Sequence, residues 1–267
     1  MKPNKILFIL LALNILSLAF TEAGTAGTFQ DVKKRGKLIA GVRRDSPPFG
    51  FVDRDGVHKG FDIDLAKTFA RELFGKEEAL ELVDVTPANR IPFLKKGKVD
   101  VLIANMTITD SRKKVIDFSN PYFLSGHLIL VRKDSNVTRY QDLAGKKIAT
   151  LRKSIGYTAV KKLVPSAELV QFEKNPDAIK ALKEGRVDAF VQDYLVIYDL
   201  QNQNRDLKIA GLPPFVSAPF GIGVRKGDLE WLNFVNATLN KIKESGEYHQ
   251  LLEKWFGTTI ALLQSGQ

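Results

Sequence analysis

Gly60-Phe61-Asp62-Ile63-Asp64-Leu65-Ala66-Lys67-Thr68-Phe69-Ala70-Arg71-Glu72-Leu73-Phe74 is the stretch from which the architecture can be read. Ile63, Ala66, Phe69, Ala70 and Leu73 recur at helical spacing, while Lys67, Arg71 and Glu72 fall on the other face, as in a helix laid on a core. Short apolar runs flank it, Leu38–Val42 before and Leu80–Val85 after, and both read as strands. Pro47-Pro48 and Asp53–Gly56 mark loop and turn between the first strand and the helix. Further on, Arg90–Lys96 reads as a short helix ended by Gly97, followed by a strand at Val99–Ala104. After a loop at Asn120-Pro121, strands at Leu128–Val131, Lys147–Leu151, Leu169–Phe172 and Ala189–Gln192 alternate with helices starting at Ser154, Pro176 and Asp193. Asn175 reads as a cap, with Pro176 as the first helical residue. Pro213-Pro214 and Pro219 interrupt this order before a strand at Gly221–Val224 and a helix at Leu229–Ile242. Such alternation predicts an α/β fold with mostly parallel sheets flanked by helices.

Composition narrows the class. The 267 residues are 44% hydrophobic and 26% charged, which excludes a disordered tail, a collagen-like repeat and a polytopic membrane protein. That length suits one large domain or two lobes of roughly 100 residues each. Cysteine is absent, so disulfides, thiolate nucleophiles and Cys-based zinc sites are excluded. The formal charge of +10 points toward an anionic partner. Met1–Lys5 carries two lysines, and Ile6–Phe20 is apolar except for Asn14 and Ser17. Small residues follow, which is the order of a secretory signal peptide cleaved after Ala23 or Ala26. The expectation is an exported periplasmic protein whose leader spans residues 1–26. With no Cys after the apolar run, it is not a lipoprotein.

Several phrases, in order along the chain, resemble bacterial family 3 solute-binding proteins, the polar amino-acid receptors of ABC importers. These are Gly60–Ala66, Ala104-Asn105-Met106-Thr107-Ile108-Thr109-Asp110-Ser111-Arg112, and Asp117-Phe118-Ser119-Asn120-Pro121-Tyr122. Gly185–Ala189 with Gln192-Asp193, and Gly221–Lys226, continue the match. The resemblance implies a two-lobed, type II periplasmic-binding-protein-like α/β fold with two interlobe crossings. Lobe one would comprise residues 27–123 and 219–267, and lobe two residues 124–218, with the Pro-rich segment as the second crossing. It also implies a monomer that closes on a free amino acid and delivers it to membrane permease subunits. No catalytic residue, cofactor or metal is expected.

Within that resemblance, Arg112 takes the ligand α-carboxylate with a bidentate fork, Thr107 and Asn105 standing in the same segment. Asp193 takes the α-ammonium. Ser154, opening a helix, closes on the carboxylate from lobe two. By sequence alone, helix capping is the favoured reading of Arg112 and Asp193, and the resemblance reverses that preference. Arg43 holds a position that is acidic in binders of basic amino acids. Asn89-Arg90-Ile91-Pro92 resembles a segment of the aspartate- and glutamate-binding members, with Arg90 aimed at a side-chain carboxylate. Pro87 replaces an aromatic that covers aliphatic ligands elsewhere. Three cations against Asp193 suit a dicarboxylic amino acid, with another polar ligand such as glutamine as the alternative. Arg152-Lys153-Ser154-Ile155-Gly156 departs from the pattern, since Lys153 and Ile155 replace a glycine and a hydroxyl residue.

Other classes have weaker support. A cyclohexadienyl or arogenate dehydratase on this fold needs a cleft acid to protonate a leaving hydroxyl, and beyond Asp193 the nearest acid is Asp199. His58, His127 and His249 suggest no triad with an activated serine. A sensor ectodomain would continue into a membrane span. Nucleic-acid binding is disfavoured because the basic residues are scattered without interleaved aromatics.

Overall fold

A computed structural model describes residues 27–265 of the chain, so the leader expected at residues 1–26 lies outside the described residues. Helix α1 (Thr28–Arg35) leads into strand β1 (Leu38–Val42), whose Leu38, Ala40 and Val42 are fully buried. A small antiparallel sheet follows, formed by β2 (Asp45–Ser46), β3 (Gly50–Val52) and β4 (His58–Lys59). Helix α2 (Phe61–Phe74) then forms from the opening motif. Asp62 and Asp64 complement the helix dipole in its first turn, and Gly75, left-handed at φ 74°, ends it. Gly60 has φ 131°, and a Cβ there would lie 2.1 Å from the Phe49 carbonyl oxygen. Only glycine lets the helix start this close to the preceding loop.

Lobe one continues through β5 (Leu80–Asp84), α3 (Arg90–Lys95), β6 (Val101–Leu102), α4 (Asp110–Lys113) and β7 (Ile116–Phe118). The chain then crosses as β8 (Phe123–Arg132) into lobe two. There β9 (Lys147–Leu151), α5 (Ile155–Leu163), β10 (Glu168–Phe172), α6 (Asn175–Lys183), β11 (Ala189–Asp193) and α7 (Tyr194–Gln203) follow. The return crossing is β12 (Leu207–Phe220), leading to β13 (Gly223–Arg225) and helices α8 (Leu229–Glu244), α9 (Glu247–Phe256) and α10 (Thr258–Ser265). Strand order is β5-β1-β6-β13-β7 in lobe one and β10-β9-β11-β8-β12 in lobe two. In each sheet the βα units pair in parallel, around β1 and β9, and the strands tied to the crossings run antiparallel.

The crossings form one antiparallel ribbon, with Phe123 opposite Phe220 and Leu124 opposite Pro219. Phe49 packs at 5.1 Å from Phe123 and 5.4 Å from Phe220, while Phe256 lies 5.1 Å from Phe123. This aromatic cluster roots the ribbon in lobe one. Two local expectations are corrected. Helix α6 starts at Asn175 rather than Pro176, and Lys174 stands at its cap position, because the Asn175 carboxamide is bonded across to lobe one. Asp193 precedes α7 but makes no side-chain cap bond, because its carboxylate turns into the cleft. Among the described residues, no helix is long and apolar enough to cross a membrane.

Candidate functional site

Between the lobes, where β1, β6 and β11 end and α3, α4 and α5 begin, lies a cavity of about 20 Å³. Arg43, Arg90, Asn105, Thr107, Arg112, Ser154 and Asp193 all line it, together with Pro87, His127, Ile155 and Gln192. That volume is close to what one water needs, so an amino acid enters only when the lobes part.

Lobe one supplies the cations. Arg90 opens α3, is 3% exposed and donates from Nη1 to the Ala104 carbonyl at 2.8 Å. Its buried Nε has no hydrogen-bond partner, and burial, then Arg112 and Arg43, pushes its pKa well down. Arg112 sits on α4, which Thr109 caps by accepting from the Arg112 N–H. Its Nη1 donates to the Thr107 carbonyl at 2.7 Å and its Nη2 to the Lys153 carbonyl of lobe two at 3.3 Å. Burial lowers the Arg112 pKa to about 10, against the pull of Asp193. Arg43 is already paired, with Nη2 donating to Asp45 Oδ1 at 2.7 Å.

Asn105 adopts φ 36°, a left-handed conformation that asparagine tolerates better than most residues. Asp62 fixes it from behind, accepting from the Asn105 N–H at 2.6 Å and from the Tyr122 hydroxyl at 3.0 Å. Burial raises the Asp62 carboxyl to about 7, opposed by those bonds and by Arg90 and Arg43.

Lobe two brings the anion. Asp193 Oδ2 accepts from the Asn105 carboxamide at 3.0 Å, a bond between lobes. Burial raises the Asp193 carboxyl to about 7, with Asn105, Arg43, Arg90 and Arg112 pulling it down. His127 lies opposite Asp193 in the β8–β11 register, its Nε2 3.8 Å from Asp193 Oδ1. Burial, reinforced by Arg112, lowers its pKa to about 4, so the ring is neutral near pH 7. The Ser154 hydroxyl caps α5 by accepting from the Tyr157 N–H at 3.2 Å and still lines the cavity.

Sequence reasoning missed His127 and Gln192 as lining residues. Gln192 is visible only as the neighbour of Asp193, and His127 enters through an antiparallel pairing no local pattern encodes. Lys153, at φ 57°, is exposed and faces an adjoining groove that shares Pro87 and Arg112 with the cavity, whereas Ile155 lines the cavity itself. Asp199 is likewise outside the cavity, in a groove beside Leu200 and Trp255.

Two α/β lobes on a two-stranded hinge, with opposed charges facing across the cleft, define a type II binding protein. The sequence matches the bacterial extracellular solute-binding proteins, family 3, over residues 38–258, and the chain belongs to that family. The ABC transporter glutamine-binding protein GlnH of Bacillus subtilis is 35% identical over 230 residues, covering 85% of this chain and 84% of that protein. A mutant of the arginine-binding protein from T. maritima superposes with a TM-score of 0.81 at 43% identity, over 86% of this chain and 99% of that one. An ancestral amino acid-binding protein, described as a precursor of cyclohexadienyl dehydratase, gives a TM-score of 0.79 at 39% identity, over 86% and 99% of the two chains.

Proposed function

We propose that this chain is the extracytoplasmic receptor of an ABC importer and captures a free acidic amino acid, aspartate or glutamate, by lobe closure. One observation carries the acidic reading: the buried, partnerless Nε of Arg90 in a cavity that also holds Arg43 and Arg112. A distal carboxylate supplies the missing acceptor. The α-carboxylate then lies against Arg112, Thr107 and Ser154. The α-ammonium takes the place of the Asn105 amide on Asp193, since burying either end requires a charged partner. No bond is made or broken. The ligand favours the closed state because only there does it touch both walls. The loaded monomer then delivers its ligand to the membrane permease.

An arginine ligand, as in the T. maritima relative, needs a distal anion, and Asp193 is the only carboxylate among the lining residues. Glutamine, the ligand named for the Bacillus relative, offers Arg90 a neutral acceptor and is the nearer competitor. A thermal-shift screen of the twenty amino acids tests the reading, because ligand at 100 times its Kd stabilises by about 2.7 kcal/mol. The largest shifts are expected with aspartate or glutamate, and a larger shift with glutamine or arginine contradicts the reading. A dehydratase reading draws on Asp193, whose carboxyl near 7 is chemically able to give a proton. Phenylpyruvate formed from prephenate above the uncatalysed rate, and lost in Asp193→Asn, would favour it. No turnover is expected.

A further inference from the structure

Away from the ligand cavity the lobes also meet through Asn175, whose side-chain polar groups are all bonded. Asn175, the first residue of α6, is 1% exposed and does not line the cavity. Its backbone N–H donates to Asp45 Oδ2 at 2.8 Å. Its Nδ2 donates to the Asp45 carbonyl at 2.7 Å and to Ser46 Oγ at 3.3 Å, both in lobe one. Its Oδ1 accepts from Gln192 Nε2 at 2.9 Å, and Gln192 Oε1 accepts from the Asp193 N–H at 2.9 Å. On the other side, Asp45 Oδ1 holds Arg43. A continuous chain of bonds therefore runs around the cavity from Arg43 to Asp193.

We propose that Asn175 is an affinity-determining positioning residue: it latches the closed lobes and holds the Gln192–Asp193 wall in place without touching the ligand. The inference rests on the receptor reading, since it concerns the closure by which that receptor binds. Opening breaks three bonds from Asn175 to lobe one and exposes a buried carboxamide with its partners. Buried polar groups resist that separation when their bonds are well made. The partners are β2 atoms and not ligand atoms, so the latch acts alike for every amino acid in the cleft. A change in the closed fraction alters apparent affinity by the same factor for each ligand.

The test uses Asn175→Ala and Asn175→Asp. The second keeps the size and the helix start but replaces the Nδ2 donor with an anion facing the Asp45 carbonyl. Because the chain has no native cysteine, one labelled cysteine on each lobe reports the interlobe distance cleanly. Without any amino acid, both variants should shift the distance distribution toward open, Asn175→Asp more than Asn175→Ala. With L-glutamate and L-glutamine as probes, Asn175→Ala should raise both Kd values by the same factor, about 10-fold, through faster dissociation. Folded variants with an unchanged ligand-free distribution would overturn the latch, as would a loss confined to one of the two probes. If neither probe binds the wild-type protein, the acidic reading fails, and the ligand-free distance measurement alone decides the latch. Should Asn175→Ala not fold, the isosteric Asn175→Asp supplies the same reading.

Discussion

The two walls of the cleft are built on opposite plans. On the lobe-one wall, three guanidinium groups are each tied into their own lobe: Arg90 to the Ala104 carbonyl, Arg112 to the Thr107 carbonyl, and Arg43 to Asp45. The lobe-two wall carries one carboxylate, Asp193, beside a neutral His127 and the uncharged Ser154 and Gln192. Cations held by their own lobe in this way favour, in the proposed binding mode, a ligand that brings acceptors to them. In that mode the single anion on the facing wall, Asp193, supplies the matching charge on closure. Its carboxyl, pushed up to about 7, shows that burial outweighs the attraction of three arginines across the cleft. In the proposed binding mode a ligand ammonium relieves that imbalance.

The contrast breaks most completely when one wall loses its charge. Arg112→Ala and Asp193→Ala should each weaken binding about 100-fold or more, as removing one partner of a buried charge pair costs ~3–5 kcal/mol. Calorimetry supplies the affinity, and circular dichroism melts check that the fold survives. Near wild-type affinity in either variant would show that these residues do not hold the α-carboxylate and α-ammonium.

Next in size is Arg90→Gln, which removes the cation with the open donor. Charge-assisted bonds contribute about 1.5–3 kcal/mol, so the wild-type preference for an acid over its amide should be about 10- to 100-fold. Competition titration of the variant should find that preference collapsed toward unity. A preserved preference would move the distal carboxylate elsewhere on the wall.

Acidity sharpens the comparison from the lobe-two side. In the closed, ligand-free cleft, burial holds the Asp193 carboxyl near 7, and a bound ammonium favours its ionised form. Binding should therefore release a proton near pH 6, and Kd should rise as pH falls below about 7, approaching 10-fold per unit. Calorimetry in buffers of different ionisation enthalpy counts that proton. Uptake instead of release would contradict the role given to Asp193. The sign for ligand-free stability is the opposite: Asp62 and Asp193 both sit near 7 against 3.8 for an ordinary carboxyl. Their contribution is greatest at low pH and is lost as pH rises through about 7.

The smallest effect is expected at Lys153. It is exposed, outside the cavity and left-handed, a conformation glycine adopts freely. Lys153→Gly should leave both affinity and the acid-to-amide ratio unchanged. A loss of selectivity would place its ammonium in the closed cleft.

How far the sequence reaches differs between these walls as well. The amphipathic helix and the alternation of strands and helices are local patterns, and each appears in the fold at nearly its expected place, whereas the Pro-rich segment read as an interruption lies within the continuous strand β12. Arg43, Arg90, Asn105, Thr107 and Arg112 lie at or just beyond the ends of short elements, where motif and position coincide. His127 and Gln192 could not be read this way, because their meeting depends on which strands pair across lobe two. Asn175 shows the limit most sharply: local chemistry marks it as a cap, whereas long-range bonding turns it toward Asp45. Asp62, conspicuous in the opening motif, reveals its task only where Asn105 folds back onto it.

The most direct test of an arginine wall awaiting a second carboxylate is the affinity of the wild-type protein for L-glutamate against L-glutamine, and for L-aspartate against L-asparagine. Measured by calorimetry at pH 7.5 in the same buffer, at least one acid should bind about 10- to 100-fold more tightly than its amide. Equal affinities within both pairs, or tighter binding of the amides, would contradict the account and leave a receptor for a neutral polar amino acid.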